Sequence, residues 1–337
     1  MFLRHVHSFR GLAILFIVAG HVLHKTTQLT DWQQHRGLVI ALNVILANGT
    51  VLFVFIAGFL FQHLSHRYSY RPYLKNKLTN VILPYMILSV PAIVITLRGI
   101  GTGFDPFAEY SAWAQVILFY ITGQHLLPLW FIPMITLIYL SAPLLIAIDR
   151  RPIAYLAVLP PALIIATLVP RDISNIPQMY VHFFPVYVLG MLASHYNEQL
   201  LAYGKRYLGA LTVAYISLLL IDVLISAGKP AGYAYVESLN LWQKLLLCMV
   251  AMTWLAHADG GTHRLFDKLA TTSFGIYFVH HYVNVLAGLL IPVEVANSIP
   301  FLALYVLLLL VVVSLSLATV LSIKSVLGPK SRLLVGS

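Results

Sequence analysis

Apolar residues run along the chain in ten blocks, near 10–27, 38–62, 78–97, 127–148, 153–169, 180–194, 207–226, 240–256, 270–290 and 299–323. A helix needs ~20 mostly apolar residues to cross a bilayer. The fifth and sixth blocks are short or interrupted by Pro160, Pro161 and Pro185, which blurs their ends. The pattern predicts an all-α polytopic membrane protein of about ten transmembrane helices. In the longest connection, 99–126, the segment Trp113 to Thr122 fits an amphipathic helix in the interface, anchored by Trp113, Phe119 and Tyr120. No internal repeat of the inverted transporter kind is visible.

The composition agrees. Of 337 residues, 60% are hydrophobic and 9% charged, against about 25% charged in soluble domains. The formal net charge of +10 would point to nucleic acid in a soluble protein. Here the basic residues are scattered over short connections, which reads as orientation in the bilayer and not as nucleic-acid binding. Fifteen Lys and Arg fall on one side, from Arg4 and Arg10 through Lys330 and Arg332; six fall on the other, Lys25, Arg36, Arg98, Arg171, Lys229 and Lys244. This bias predicts that both termini are cytoplasmic, as an even span count requires. One cysteine, Cys248, lies inside an apolar block, so neither a disulfide framework nor a thiol metal cluster is expected. No cleavable signal peptide is expected, because the first block lacks a small-x-small cleavage site after it.

Two polar residues bracket the first apolar run. Arg10 and His21 are eleven positions apart, about three helical turns, so both point along one face with His21 roughly 16 Å deeper than Arg10. Such groups are costly in hydrocarbon, by ~2.5–3.5 kcal/mol for Arg on insertion scales, so a polar interior is expected to use them. A neutral imidazole there suits a general base for a hydroxyl near neutral pH. The bland alternative, a histidine gluing two helices, loses ground because His24 follows one turn later and Arg10 shares the face.

Before the third block stand Arg67, Arg71, Lys75 and Lys77. Charge alone reads them as a topology signal in contact with anionic headgroups; on the Arg10 side they also suit the phosphates of a nucleotide-bearing ligand. No Walker-type glycine loop is present, which speaks against ATP hydrolysis. Gly58 fits a close helix-packing position, Trp130 an interfacial anchor, and Asp222 a paired or wet residue of no assigned role. In Ser273-Phe-Gly-Ile-Tyr277-Phe-Val-His280-His281, Tyr277 and His280 stand at i, i+3. The adjacent histidines point about 100° apart, without a third ligand at matching spacing, so no metal site is expected.

These landmarks together resemble the membrane-bound acyltransferase-3 family, integral-membrane O-acyltransferases that decorate bacterial glycans. Ser8-Phe-Arg10-Gly-Leu-Ala-Ile-Leu through His21 is similar to the family's Arg-x10-His motif. Four further landmarks follow in the family's order. They are the run from Asn48 to Gly58-Phe, Lys75-Asn-Lys77 to Pro84-Tyr85, Leu129-Trp130-Phe131-Ile132, and Ser273 to His280. The resemblance covers most of the chain and implies one integral-membrane acyltransferase domain over 1–337, multi-pass in the inner (plasma) membrane. It implies transfer of an acetyl or other short acyl group from acyl-CoA to a hydroxyl of a sugar or of an exported or lipid-linked glycan.

His21 would be the catalytic base; Arg10, Arg71, Lys75 and Lys77 would bind the donor; Trp130, Tyr277 and His280 would line the site. Acetyl-CoA or another short acyl-CoA is the implied co-substrate, with no bound cofactor. The chain departs from the family at Ala57, where many members have serine, and in its lysine-rich cluster before the third block, where an arginine pair is common. A lysine offers a point charge in place of a bidentate fork. The Lys-x-Lys and Leu-Pro-Tyr pattern, with Leu327-Gly-Pro-Lys-Ser-Arg332, looks most like the branch that modifies exported polysaccharides and sugars such as fucose. No soluble esterase-like domain is expected after the last block. The competing class is a transporter or flippase of a glycan intermediate, with Arg10 and His21 lining a polar path. Acceptor specificity falls to the outer connections 99–126 and 227–239, and nothing in the sequence sets an oligomeric state.

Overall fold

A computed structural model describes residues 3–100, 105–229 and 235–336. The connections 99–126 and 227–239 therefore lie partly outside the described residues. Helices are α1 (Arg4–Leu29), α2 (Arg36–Leu46), α3 (Thr50–His63), α4 (Tyr70–Lys77), α5 (Leu83–Leu97), α6 (Ala112–Thr122), α7 (Phe131–Leu140) and α8 (Ala142–Asp149). They continue as α9 (Pro152–Leu168), α10 (Ile176–His195), α11 (Asn197–Ala227), α12 (Glu237–His257), α13 (Gly260–Leu290), α14 (Val293–Ser298), α15 (Phe301–Leu327) and α16 (Ser331–Val335). Among the described residues there is no strand.

Among the described residues, eight helical segments are long and apolar enough to cross a membrane, and a ninth if α6 and the helix Leu127–Leu140, bent by 66°, count as one broken span. The remaining apolar helix, α9, is shorter but lies antiparallel along α10: Tyr155 meets His195 at one end, and Val169 meets His182 at the other. Helices α1 and α13 run parallel, with Ser8 on His263, Arg10 on Ser273 and His21 on His280. Parallel packing needs an odd number of crossings between them. The five long segments between them already meet that parity, and it is kept when α9 and the bent pair both cross. Lys324 donates to the Thr271 carbonyl while Tyr305 reaches that of Ala19, so α15 runs back antiparallel and the start of α1 and the end of α15 lie on the Arg10 face.

Helix breaks are satisfied from neighbouring helices, as a dry interior demands. Between α2 and α3, Asn48 adopts φ +58, a region Asn tolerates better than most residues. The Val44 carbonyl freed there accepts from Asn240 (3.0 Å) and Lys244 (3.2 Å). At the α6 bend, Gly123 has φ +74, and a Cβ would lie 2.5 Å from the Leu129 backbone. Tyr85 donates to the carbonyls of Phe119 and Tyr120, and Tyr277 to that of Pro128 at 2.5 Å. Asp222 is buried and paired, accepting from Ser226, Gln243 and the Val236 amide. Helix α3 crosses α10 through Gly58 and Gly190, where a Cβ on either would collide with a facing carbonyl, Tyr187 or Phe55, as expected for Gly58.

Two anchors behave differently from expectation. Trp113 is 82% exposed on α6, but Phe119 is fully buried against Phe107 and His125. The bend turns that face of α6 into the bundle, so Phe119 is core. Trp130 is likewise buried, stacked on Phe183 with ring centroids 5.8 Å apart.

Candidate active site

The α1–α13 seam carries the two first-span residues. Gly11 lets the backbones approach: a Cβ there would lie 2.7 Å from the Phe266 carbonyl oxygen. One residue earlier, Arg10 donates from Nη2 to Ser273 Oγ (3.1 Å), and that hydroxyl donates on to the Ala270 carbonyl. Three turns along, His21 Nδ1 and His280 Nε2 are 2.9 Å apart, with the ring planes within 21° of each other. His280 is fully buried, and its Nδ1 meets the Ile276 carbonyl at 3.0 Å. Asn284 donates to the His21 carbonyl (3.1 Å), and His281 stands edge-on to the His21 ring. As the eleven-residue spacing predicts, Arg10 and His21 point along one face, toward α13.

A cavity of about 620 Å³ opens beside Arg10 between α1, α3, α4 and the turn that follows it, α7, α10 and α13. Its described lining carries three cations, Arg10, Arg67 and Lys77, and no carboxylate. The rest of the wall is mainly aromatic and apolar, with Tyr68, Tyr73, Tyr139, Tyr187, Phe131 and Tyr277, and a few neutral polar residues such as Asn76 and Asn80. The Lys77 ammonium lies 4.6 Å from the Tyr139 ring centre and 5.2 Å from that of Tyr73, a cation–π arrangement that holds it without neutralising it. Between spans, burial raises the Tyr68 phenol above its ordinary pKa, and Tyr70 adds to the shift. It presents a neutral hydroxyl without a hydrogen-bond partner among the described residues. On α1 the lining runs from Arg10 to Ile17, so the cavity ends one turn short of His21.

The profile of the acyltransferase domain family, acyltransferase-3, matches residues 5–321. The chain belongs to this family. Comparison with curated proteins and with solved structures gives no match. The chain is therefore a membrane acyltransferase, an enzyme.

In this acyltransferase the basic residues before the third span separate by helix face. The cavity takes Tyr73, Asn76, Lys77 and Asn80 from α4 and the π-helical turn Leu78–Ile82 that follows it. Arg71 and Lys75 sit on the other side of α4, exposed and outside the lining. Of the expected lining residues, Tyr277 faces the cavity, His280 lies beyond it on His21, and Trp130 is displaced by its neighbour Phe131, which lines the wall and packs on Tyr277. Sequence reasoning left out Ile17, Tyr73, Tyr139 and Tyr187. Only the i, i+4 placement of Tyr73 and Lys77 offered a signal for any of them.

Proposed function

We propose that this acyltransferase moves a short acyl group, acetyl first among them, from acyl-CoA to a hydroxyl of a sugar or of an exported or lipid-linked glycan. The observation that carries the reading is the cavity: three cations without a carboxylate at the face where α1 begins and α15 ends, aromatic walls inward, and an end one turn from an imidazole. Unpaired cations in an apolar wall call for an anionic ligand. A CoA nucleotide suits the Arg67–Lys77 end, and its thin pantetheine arm suits the narrow aromatic interior. The fifteen-to-six loop charge bias supports reading that face as cytoplasmic, where acyl-CoA is found, in a multi-pass protein of the inner membrane.

The chemistry follows from the two depths. Arg10 orients the donor, while Arg71 and Lys75 add positive potential at the rim. His21 takes the proton of the acceptor hydroxyl as its oxygen attacks the thioester carbonyl carbon. The C–S bond breaks, and the departing CoA sulfur receives the proton back from His21. An acyl ester and free CoA result, with no resident cofactor.

The test compares the acyl content of cell-envelope glycans in cells carrying the wild type and His21→Ala at equal membrane level. Loss of the acyl group in the variant is expected. Unchanged acylation would overturn the reading.

A further inference from the structure

The hydrogen-bond chain through His280 fixes more than the position of His21. A backbone carbonyl only accepts, so the 3.0 Å contact of His280 Nδ1 with the Ile276 oxygen places a proton on that nitrogen. A neutral imidazole carries one N–H, which leaves His280 Nε2 a bare acceptor. That nitrogen faces His21 Nδ1 at 2.9 Å, so His21 donates from Nδ1. Its single proton is then used, and Nε2 of His21 holds a free lone pair. Each link is set by the one before it, and the chain is anchored in a helix backbone that cannot reverse its polarity. His280 is fully buried, so water does not offer it an alternative partner.

We infer that His280 is a positioning residue that holds His21 in the Nδ1-protonated tautomer, leaving Nε2 as the nitrogen that takes the acceptor's proton. The inference rests on the reading of His21 as the base. The same bond also serves the second half of the reaction: when Nε2 takes a proton, the imidazolium still donates from Nδ1 to His280, so no partner changes during transfer. Orientation through a second group is the logic of triad hydrolases, in which a base in the wrong tautomer costs about 10⁴-fold in kcat.

The tautomer is read directly by nitrogen NMR of histidine-labelled protein in lipid, with the His21 signals assigned by difference from His21→Ala. The expected result is a protonated Nδ1 and a bare Nε2; a wild-type His21 protonated on Nε2 overturns the inference without any need of a His280 variant. Release of CoA from acetyl-CoA in the presence of membrane glycan gives the second readout. His280→Ala is expected to lose on the order of 10²-fold or more. His280→Gln, whose amide oxygen can stand where Nε2 stood and accept from Nδ1, is expected to recover most of that loss and keep the wild-type tautomer. An active His21→Ala would overturn the base reading and this inference together. Inactive His21→Ala alongside a fully active His280→Ala would overturn the His280 assignment alone.

Discussion

Replacing Gly11 with alanine tests whether the close approach of α1 and α13 holds the site together. The added Cβ would meet the Phe266 carbonyl oxygen at 2.7 Å and Phe266 Cβ at 2.9 Å, and the first of these is helix backbone, which does not rotate away. Relief to an ordinary contact requires the helices to part by roughly 0.7 Å, a gap that forfeits about a quarter to a half of the dispersion well for the atoms along it. Overpacking of this kind costs about 1–3 kcal/mol. The same movement stretches the Arg10–Ser273 bond from 3.1 Å to about 3.8 Å, beyond a working hydrogen bond. The expected outcome is a lower unfolding temperature together with weaker donor binding. The chain has one cysteine, the fully buried Cys248, so reaction with a fluorogenic thiol dye during heating in mild detergent reports unfolding at a single position. Gly209→Ala in α11 is the control, since a Cβ there meets nothing within 4 Å, and helix propensity favours alanine by up to about 1 kcal/mol. Equal unfolding temperatures for Gly11→Ala and Gly209→Ala, with donor binding unchanged, would refute the argument.

Three further outcomes are expected. Arg10→Lys should lower donor-dependent CoA release by about 10–100-fold, because lysine lacks the planar fork that bonds Ser273 through one nitrogen and leaves the others for the cavity, and a charge-assisted bond contributes about 1.5–3 kcal/mol; full activity would reduce Arg10 to a topology charge. Lys77→Met should raise the KM for acetyl-CoA by about tenfold, whereas Lys75→Ala and Arg71→Ala, exposed and outside the cavity, should change it by less than about threefold; the reverse order would move the donor out of the cavity. Asp259 caps α13 by accepting from the Thr262 hydroxyl and amide, which holds its carboxyl below the ordinary value. A depressed folded pKa means that this stabilisation is complete above the unfolded value of about 3.9 and is lost as pH falls through the folded one. Asn caps equally well without titrating, so Asp259→Asn should lose less thermal stability than the wild type between about pH 5 and pH 3, measured by the same thiol assay; parallel losses would contradict the cap.

The parts of the site that were legible in the sequence are those set by helical period. Arg10 and His21 needed only 3.6 residues per turn to fall on one face, and Gly58 needed only its place in an apolar span. Lys77 could not be told from Lys75 and Arg71, because a cluster of like charges does not mark the start of α4 or the π-turn that aims one face at the cavity. Trp130 and Phe119 were misplaced for a related reason: the 66° bend carried by Gly123 exchanges inside for outside, and hydropathy does not record bends. The His21–His280 bond joins residues 259 positions apart, and only the packing of α1 on α13 brings them together.

The central claim is that a short acyl-CoA lies in the Arg10 cavity with its thioester toward His21. A structure of the protein in lipid with a non-hydrolysable acetyl-CoA analogue tests it most directly. The account predicts the nucleotide phosphates against Arg67 and Lys77, the pantetheine arm among Tyr73, Tyr139 and Tyr277, and the acyl carbonyl beyond Ile17 within reach of His21. An analogue bound elsewhere, with the cavity filled by lipid, would contradict it.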